Sequence, residues 1–159
     1  MPEVNVNGQT LSYFLVTFKR VAKVTAGSKR LRMSVVVVVG DKNGHVGVAL
    51  ARGRDFPEAV NKAINKAARK MIEVPIVRNS KTIPFRIEGK FEAAKVMLKP
   101  APEGVGLVAG GAVRKVLEVA GYENVVAKRM GAPNATANAY CTVSLLHKLS
   151  KKTHDHKIN

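Results

Sequence analysis

The sequence is poor in cysteine and in acidic residues, and both shortages narrow the possible functions. Cys141 is the single cysteine, so no internal disulfide can form, which agrees with a reducing compartment. We interpret it as a buried core residue and not as a catalytic thiol. Only 11 Asp+Glu stand against 27 Lys+Arg. These carboxylates are scattered, and neither a paired acid site nor a Ser/His/Asp order stands out, so candidate catalytic constellations are scarce.

Tryptophan is absent, and five phenylalanines and three tyrosines make up the aromatic content. No aromatic pair has the strand spacing of an RNA-stacking site, so we expect contacts to nucleic acid backbone and shape and not base stacking. The histidines form no zinc pattern, since His154 and His156 lie in a polar tail without a third ligand. We therefore expect neither a cofactor nor a metal.

Long apolar runs are missing as well. The longest β-branched run, Val35 to Val39, is far shorter than the roughly 20 residues that span a bilayer. The start of the chain lacks the basic-then-apolar layout of a secretion signal. We therefore expect a cytosolic protein with no membrane partner.

What the chain has in excess is positive charge, with a net value of +16. Residues 1–73 contain 13 basic and 5 acidic residues, and residues 74–159 contain 14 and 6, so each half carries +8. Charge spread evenly over a whole molecule differs from a basic tail or one phosphate pocket. It predicts a polyanionic partner.

The first half reads as β-β-β-α. A strand is predicted over Phe14–Val24, followed by a basic loop from Thr25 to Arg30 and a buried strand over Met33–Gly40. The turn Asp41–Gly44 then joins that strand to an antiparallel partner, His45–Arg52.

A helix is predicted next, because Asp55 is an N-cap candidate, Pro57 lies in the first turn and Glu58 completes a capping-box arrangement. Two faces separate at helical spacing. The predicted apolar face contains Val60, Ala63, Ile64, Ala67, Met71 and Ile72. The predicted basic face contains Lys62, Lys66, Arg69 and Lys70.

The second half reads as β-β-α-β-α. Strands are predicted over Thr82–Ile87 and Ala94–Lys99, a helix from about Ala112 to a stop at Gly121, and a strand over Val125–Ala127. The predicted basic loop 128–134 precedes a last helix, Ala135–Leu149. We expect a sheet with helices on one face.

Four glycines between Lys99 and Gly121 form a candidate platform where helix N–H groups meet an anion or a packed partner. Gly104-x-Gly106-x-x-Ala109, with Glu123 19 residues after Gly104, leaves a nucleotide-binding enzyme as an alternative. That fingerprint is weak here, because Pro100 and Pro102 intervene and too few residues remain for a doubly wound sheet.

Between Leu15 and Leu149 the chain resembles ribosomal protein S5 of the bacterial small subunit. The motifs that carry the resemblance are Val38-Val39-Gly40-Asp41-x-Asn43-Gly44-x-Val46-Gly47, Pro57-Glu58-Ala59-Val60-x-Lys62-Ala63, Thr82-Ile83-Pro84, Pro100-Ala101-x-x-Gly104-x-Gly106 and Ala109-Gly110-Gly111-x-x-Arg114 to Ala120-Gly121. The chain departs from the family pattern at Ser28, where a glycine is usual, and at Tyr140, where arginine is common.

The resemblance implies an α+β fold of two small domains. Residues 12–75 would form a domain like the double-stranded-RNA-binding fold, and residues 76–149 a C-terminal domain with a left-handed βαβ crossover. Residues 1–11 and 150–159 are expected to be flexible tails.

The resemblance also implies a structural component of the small ribosomal subunit, and not an enzyme. This component would bind 16S rRNA, support assembly, contribute to translational accuracy and lie near the mRNA entry channel. Its implied neighbours are ribosomal proteins four and eight, with Gly104, Gly106 and Arg114 toward protein four. The candidate RNA-binding residues are Lys19, Arg20, Lys23, Thr25, Gly27, Ser28, Lys29, Arg30, Arg32, Arg52, Arg54, Lys62, Lys66, Arg69, Lys128 and Arg129. A free double-stranded-RNA-binding module outside the ribosome remains a third hypothesis.

Overall fold

The computed structural model describes residues 3–25 and 27–158, and their side chains except those of residues 23–25, 28–30 and 154–158. The described elements, in chain order, are β1 (Glu3–Val6), β2 (Gln9–Thr25), β3 (Ser28–Gly40), β4 (His45–Gly53), α1 (Phe56–Arg69), β5 (Ile72–Glu73), β6 (Ile87–Phe91), β7 (Ala94–Pro100), β8 (Leu107–Val108), α2 (Gly111–Ala120), β9 (Val125–Arg129) and α3 (Ala135–Ile158).

The strands form two sheets. The first has the order β1-β2-β3-β4-β5 and is antiparallel throughout. The second has the order β6-β7-β9-β8, in which β8 and β9 run parallel and are connected through α2. The α+β class with two sheets and a βαβ unit in the second half is confirmed; the handedness of that crossover stays an implication of the resemblance.

The valine run in β3 is buried on both faces of the first sheet. Val35, Val37 and Val39 pack in a cluster with α1. Val36 and Val38, which point to the opposite face, belong to a larger core shared with α2, α3 and the second sheet. Successive side chains of a strand point to opposite faces of the sheet, and here both faces are covered by other parts of the core. This is why β3 is continuously apolar.

The N-terminus of α1 matches its prediction closely. The Asp55 carboxylate accepts a hydrogen bond from the Glu58 amide at 2.9 Å, and Glu58 reaches back to the Arg54 amide at 3.0 Å. The predicted apolar face needs correction: Ala59 is buried, Val60 is only half-buried, and the helix ends before Met71. Ile72 lies in β5, which continues the sheet beside β4.

The two halves meet where the β3–β4 turn contacts the end of α2. The Lys42 amide donates to the Val119 carbonyl and the Gly44 amide to the Ala120 carbonyl, each at 3.0 Å. This fit requires a glycine at position 40, since a Cβ there would lie 2.0 Å from the Val119 oxygen. It also requires Gly121, which has a φ of 107° and ends α2 as predicted.

The first half has two more strands than the predicted β-β-β-α. Glu3–Val6 forms β1 against Gln9–Ser12, in the segment expected to be a tail. β2 begins at Gln9 and not at Phe14, and the segment predicted as a loop from Thr25 to Arg30 is the end of a β-hairpin in which Thr25 pairs with Ser28.

In the second half the strand predicted over Thr82–Ile87 is wrong. Residues 82–86 are irregular and β6 begins at Ile87. The Thr82 hydroxyl accepts a hydrogen bond from the Ala101 amide at 3.1 Å, a side-chain contact and not a strand pairing. Lys128 and Arg129 continue β9 and are not in a loop. The last helix runs past Leu149 to Ile158. The domain limits 12–75 and 76–149 stay a prediction.

Candidate nucleic-acid interface

The most basic projection of the molecule is the far part of the β2–β3 hairpin, which we call the basic hairpin (residues 19–32). It contains six cations and no acidic residue. Pairing of β3 with β4 ends at Met33, whereas pairing with β2 continues to Ser28. Two strands therefore extend alone, over about 17 Å at the usual rise per residue.

The described cations of the basic hairpin lie on both of its faces. Arg20 is opposite Met33 and shares the α1 side of the sheet, while Lys19 and Arg32 occupy the alternate positions and the other side. All three side chains are exposed. Side chains on both faces of a two-stranded projection can contact phosphates on two sides of a nucleic acid groove.

For most of the remaining predicted RNA-binding residues of the hairpin, the structure describes the backbone and not the side chain. Lys23 is opposite Arg30, and Thr25 is opposite Ser28. Gly27 has a φ of 83°, which glycine adopts without strain. The predicted roles of Lys23, Thr25, Ser28, Lys29 and Arg30 rest on side chains outside the described ones.

Arg52 and Arg54 extend the basic surface at the base of the hairpin. Lys19, Ser34 and Arg52 form one row across β2, β3 and β4, so Lys19 and Arg52 lie on the same face. Arg54 is exposed just before α1. The structure therefore brings together cations that are 33 residues apart in the sequence.

The three predicted RNA-binding residues on α1 differ in whether their charged groups already have a partner within the protein. Lys62 forms an ion pair with Glu58 at 3.2 Å, and the Lys66 ammonium donates to the Leu50 carbonyl at 3.2 Å. Arg69 is exposed in the last turn. Exposed ion pairs are weak, so Lys62 can exchange Glu58 for a phosphate at little cost.

Lys128 and Arg129 belong to a different surface. They lie in β9 of the second sheet, opposite Met97 and Val96, and both are exposed. The Arg129 guanidinium lies near Gly111, at the start of α2. The structure does not place these two cations on the basic hairpin or on α1.

The side-chain amide of a buried asparagine, which sequence reasoning missed, holds the glycine platform at Gly104 and Gly106. Asn124 is 5% exposed, and its side-chain oxygen accepts hydrogen bonds from the amides of Gly104 at 3.1 Å and Gly106 at 2.9 Å. Its amide nitrogen donates to the Ser80 carbonyl. The two glycine amides that an anion would need are thus already occupied.

This geometry removes the nucleotide-binding interpretation of the platform. Gly104 and Gly106 precede β8, whereas the dinucleotide fingerprint follows a buried strand directly. Their φ values of 97° and 82° explain the glycines as backbone requirements of a loop. No group of His, Cys, Asp and Glu suited to a metal occurs among the described residues.

The predicted protein-interface residues lie at the two ends of this segment. Gly104 and Gly106 have open space where a Cβ would be, so the loop presents bare backbone to its surroundings. Arg114 lies on α2, is exposed, and pairs with Glu118 at 2.9 Å. Both features suit contact with a partner, although Asn124 already accepts hydrogen bonds from the two glycine amides and Glu118 already pairs with Arg114.

A second missed contact connects the halves. Lys115 on α2 donates its ammonium to the Leu15 carbonyl at 3.0 Å, beside the irregularity in β2 between Leu15 and Thr17. Ladder pairing is disturbed at a β-bulge, and Lys115 gives the Leu15 carbonyl a donor from outside the sheet. No local sequence pattern signals a bond between residues 100 positions apart.

Cys141 lies where the sequence predicts it, in the shared core, with 1% exposure. Burial raises the pKa of its thiol, an effect that nearby backbone groups and Lys148 partly oppose. A thiol that is buried and protonated is unreactive. Within the described part of the chain, helices long and apolar enough to cross a membrane are absent.

Comparison with known proteins gives a family match over both halves. Residues 11–75 match the family described as Ribosomal protein S5, N-terminal domain, and residues 89–157 match the family described as Ribosomal protein S5, C-terminal domain.

Individual relatives agree with this match. The small ribosomal subunit protein uS5 of Thermotoga maritima is 43% identical over 85% of this chain and 75% of its own length. The protein uS5c of Phaeodactylum tricornutum is 46% identical over 87% of this chain and 78% of its own length. The protein uS5c of Cyanidium caldarium is 40% identical and covers 94% of this chain and 90% of its own length.

Proposed function

This chain belongs to the ribosomal protein S5 family, and on that premise we propose that the basic hairpin, Arg52, Arg54 and the basic face of α1 form its 16S rRNA-binding surface. As a member of this family the chain is a ribosomal protein of the small subunit and not an enzyme. Binding of rRNA is general in the family, and its location on this chain is our proposal. The small subunit lies in the cytoplasm or, for plastid relatives, in the chloroplast.

The observation that carries the proposal is the basic hairpin of residues 19–32, which has six cations and no acid, and whose residues 21–25 and 28–32 extend beyond β4 as two strands. Its described cations, Lys19, Arg20 and Arg32, are solvent-exposed and lie on both faces. Such a shape can enter a groove or a junction between RNA helices, where phosphates surround it. Lys128 and Arg129 form a second proposed contact, on the other sheet.

The glycine loop and α2 are the proposed contact with ribosomal protein four. The supporting features are the bare backbone at Gly104 and Gly106 and the exposed Arg114 side chain. Contact with protein eight, a contribution to assembly and decoding accuracy, and contact with mRNA at the entry channel are further parts of the proposal. They rest on the family membership.

Salt dependence of rRNA binding tests the proposed surface. Removing one phosphate contact should reduce the log–log salt slope by roughly 0.7 to 0.9. We expect the double variant Arg20→Gln/Arg32→Gln to bind 16S rRNA more weakly and with a shallower slope than the parent. Circular dichroism should be unchanged, because both side chains are exposed.

A charge-matched control separates contact from overall charge. Lys90→Gln/Lys152→Gln removes two exposed cations from the second half and should leave the slope near that of the parent. Equal slopes for the two double variants would overturn the location on the hairpin. A parent protein that binds rRNA without salt dependence would contradict the phosphate-contact mechanism itself.

A further inference from the structure

Three large apolar side chains are exposed around the basic hairpin. Phe18 is 57% exposed, Leu31 is 59% exposed and Phe56, at the start of α1, is 41% exposed. A protein with few aromatic residues thus leaves two of its five phenylalanines open to solvent in one place. Burying them would be favourable, so their exposure indicates a contact surface.

These side chains lie on one face. The rings of Phe18 and Phe56 meet edge to face, with centroids 5.7 Å apart and planes at 78°. Leu31 is opposite Ala22 and Phe18 is opposite Val35, so both share the α1 side with Arg20 between them. The resulting apolar strip runs from Phe56 through Phe18 to Leu31, and its hairpin part is about 13 Å long at the usual rise per residue.

The charges beside the strip identify what covers it. Arg20 projects on the same face and Arg54 is exposed two residues before Phe56. The two carboxylates at the start of α1 are already engaged, because Asp55 accepts from the Glu58 amide while Glu58 accepts from the Arg54 amide and pairs with Lys62. An apolar strip beside exposed guanidinium groups complements a partner in which flat apolar groups are joined by negatively charged ones.

We propose that this strip stacks against an unpaired base of RNA, with the adjoining phosphates on Arg20 and Arg54. The inference rests on the proposed rRNA-binding function and adds a recognition mode to it. It departs from the expectation of backbone contacts alone. Aromatic side chains beside cations hold single-stranded nucleotides by stacking, which any base can satisfy.

Binding of the full-length protein to two RNA probes tests the proposal. One is a single-stranded oligoadenylate carrying 2-aminopurine, and the other is an RNA duplex with the same number of phosphates. Phe18→Leu, which keeps apolar area but removes the ring, should weaken binding of the single strand roughly tenfold. The salt slope should stay unchanged, and the fluorescence change of the 2-aminopurine should shrink.

Matched variants make the result specific. Phe18→Tyr keeps the ring and should bind like the parent, and Val77→Ala removes an exposed apolar side chain from the connector and should have no effect. Equal affinity and equal fluorescence change for Phe18→Leu and the parent would overturn stacking. Salt-dependent binding of the duplex by the parent reports the proposed rRNA surface separately, so the two proposals fail by different results.

Discussion

At the scale of single residues, Asn124 supports the glycine loop through three hydrogen bonds. One buried side chain joins the connector at Ser80 to two amides of the glycine loop. Since those amides lie in backbone of positive φ, the loop cannot satisfy them through regular pairing. Asn124 therefore fixes the surface that we propose for contact with protein four.

We predict that Asn124→Ala lowers the free energy of unfolding by about 2 kcal/mol, because it leaves three backbone groups without their partner. Urea unfolding measures this decrease. Asn65→Ala, at an exposed position of α1, should change stability by less than about 0.5 kcal/mol. A decrease at Asn124 no larger than that at Asn65 would contradict the role of this amide.

Residue roles can be predicted from the sequence where the physics is local. Asp55 caps α1 by accepting a hydrogen bond from the amide of Glu58, three residues later. Gly121 ends α2, and its amide bonds to carbonyls three and four residues earlier. The partners of Asn124 lie 18, 20 and 44 residues away. An asparagine in the middle of the chain has no periodic signal, so only the folded structure reveals which backbone groups it reaches.

At the scale of elements, the start of α1 is stabilised by a charged cap. The backbone amide of Arg54, and then Lys62, hold the pKa of Glu58 below its ordinary value. A lowered folded pKa means that the folded state favours the ionised carboxylate. This contribution is present above the ordinary pKa and disappears as the pH falls through the folded one.

Glu58→Gln should therefore be less stable than the parent at neutral pH, and the difference should shrink as the pH is lowered below the ordinary value for glutamate. Urea midpoints measured at neutral and at acid pH give the comparison. Glu103→Gln, a charge-matched change in the exposed loop after β7, serves as the control. A difference between Glu58→Gln and the parent that stays constant with pH would refute the cap.

The basic hairpin is the element that is hardest to predict from the sequence. Its cations are evident, but the segment from Thr25 to Arg30 has the pattern of a loop, because glycine and serine stand beside adjacent cations. A hairpin that extends beyond the rest of its sheet has no buried face, so its sequence shows little alternation of apolar and polar residues. Cross-strand hydrogen bonds hold this part, and they leave little pattern in the side chains.

At the scale of the whole molecule, the two halves share one core. Val36 and Val38 of the first sheet pack in the same cluster as Val116 and Leu146 of α2 and α3. Sequence patterns predict two separate units, because each half has its own order of elements. The contact between them depends on the absence of a Cβ at Gly40, which no periodicity reveals.

We predict that Gly40→Ala weakens this contact and lowers the free energy of unfolding by about 3 kcal/mol. The added Cβ would meet the Val119 carbonyl and the His45 oxygen, all backbone atoms that cannot rotate away. Hydrogen exchange should increase in both α2 and β3, since the two elements would no longer support each other.

Gly110→Ala is the matched control, because Gly110 has an extended backbone and open space at the Cβ position. It should unfold like the parent. If Gly40→Ala destabilised only the first sheet while exchange in α2 stayed as slow as in the parent, the halves would not be energetically coupled. A parallel increase of exchange in both halves would mean that the hairpin proposed to bind rRNA and the glycine loop proposed to contact protein four belong to one cooperative folding unit.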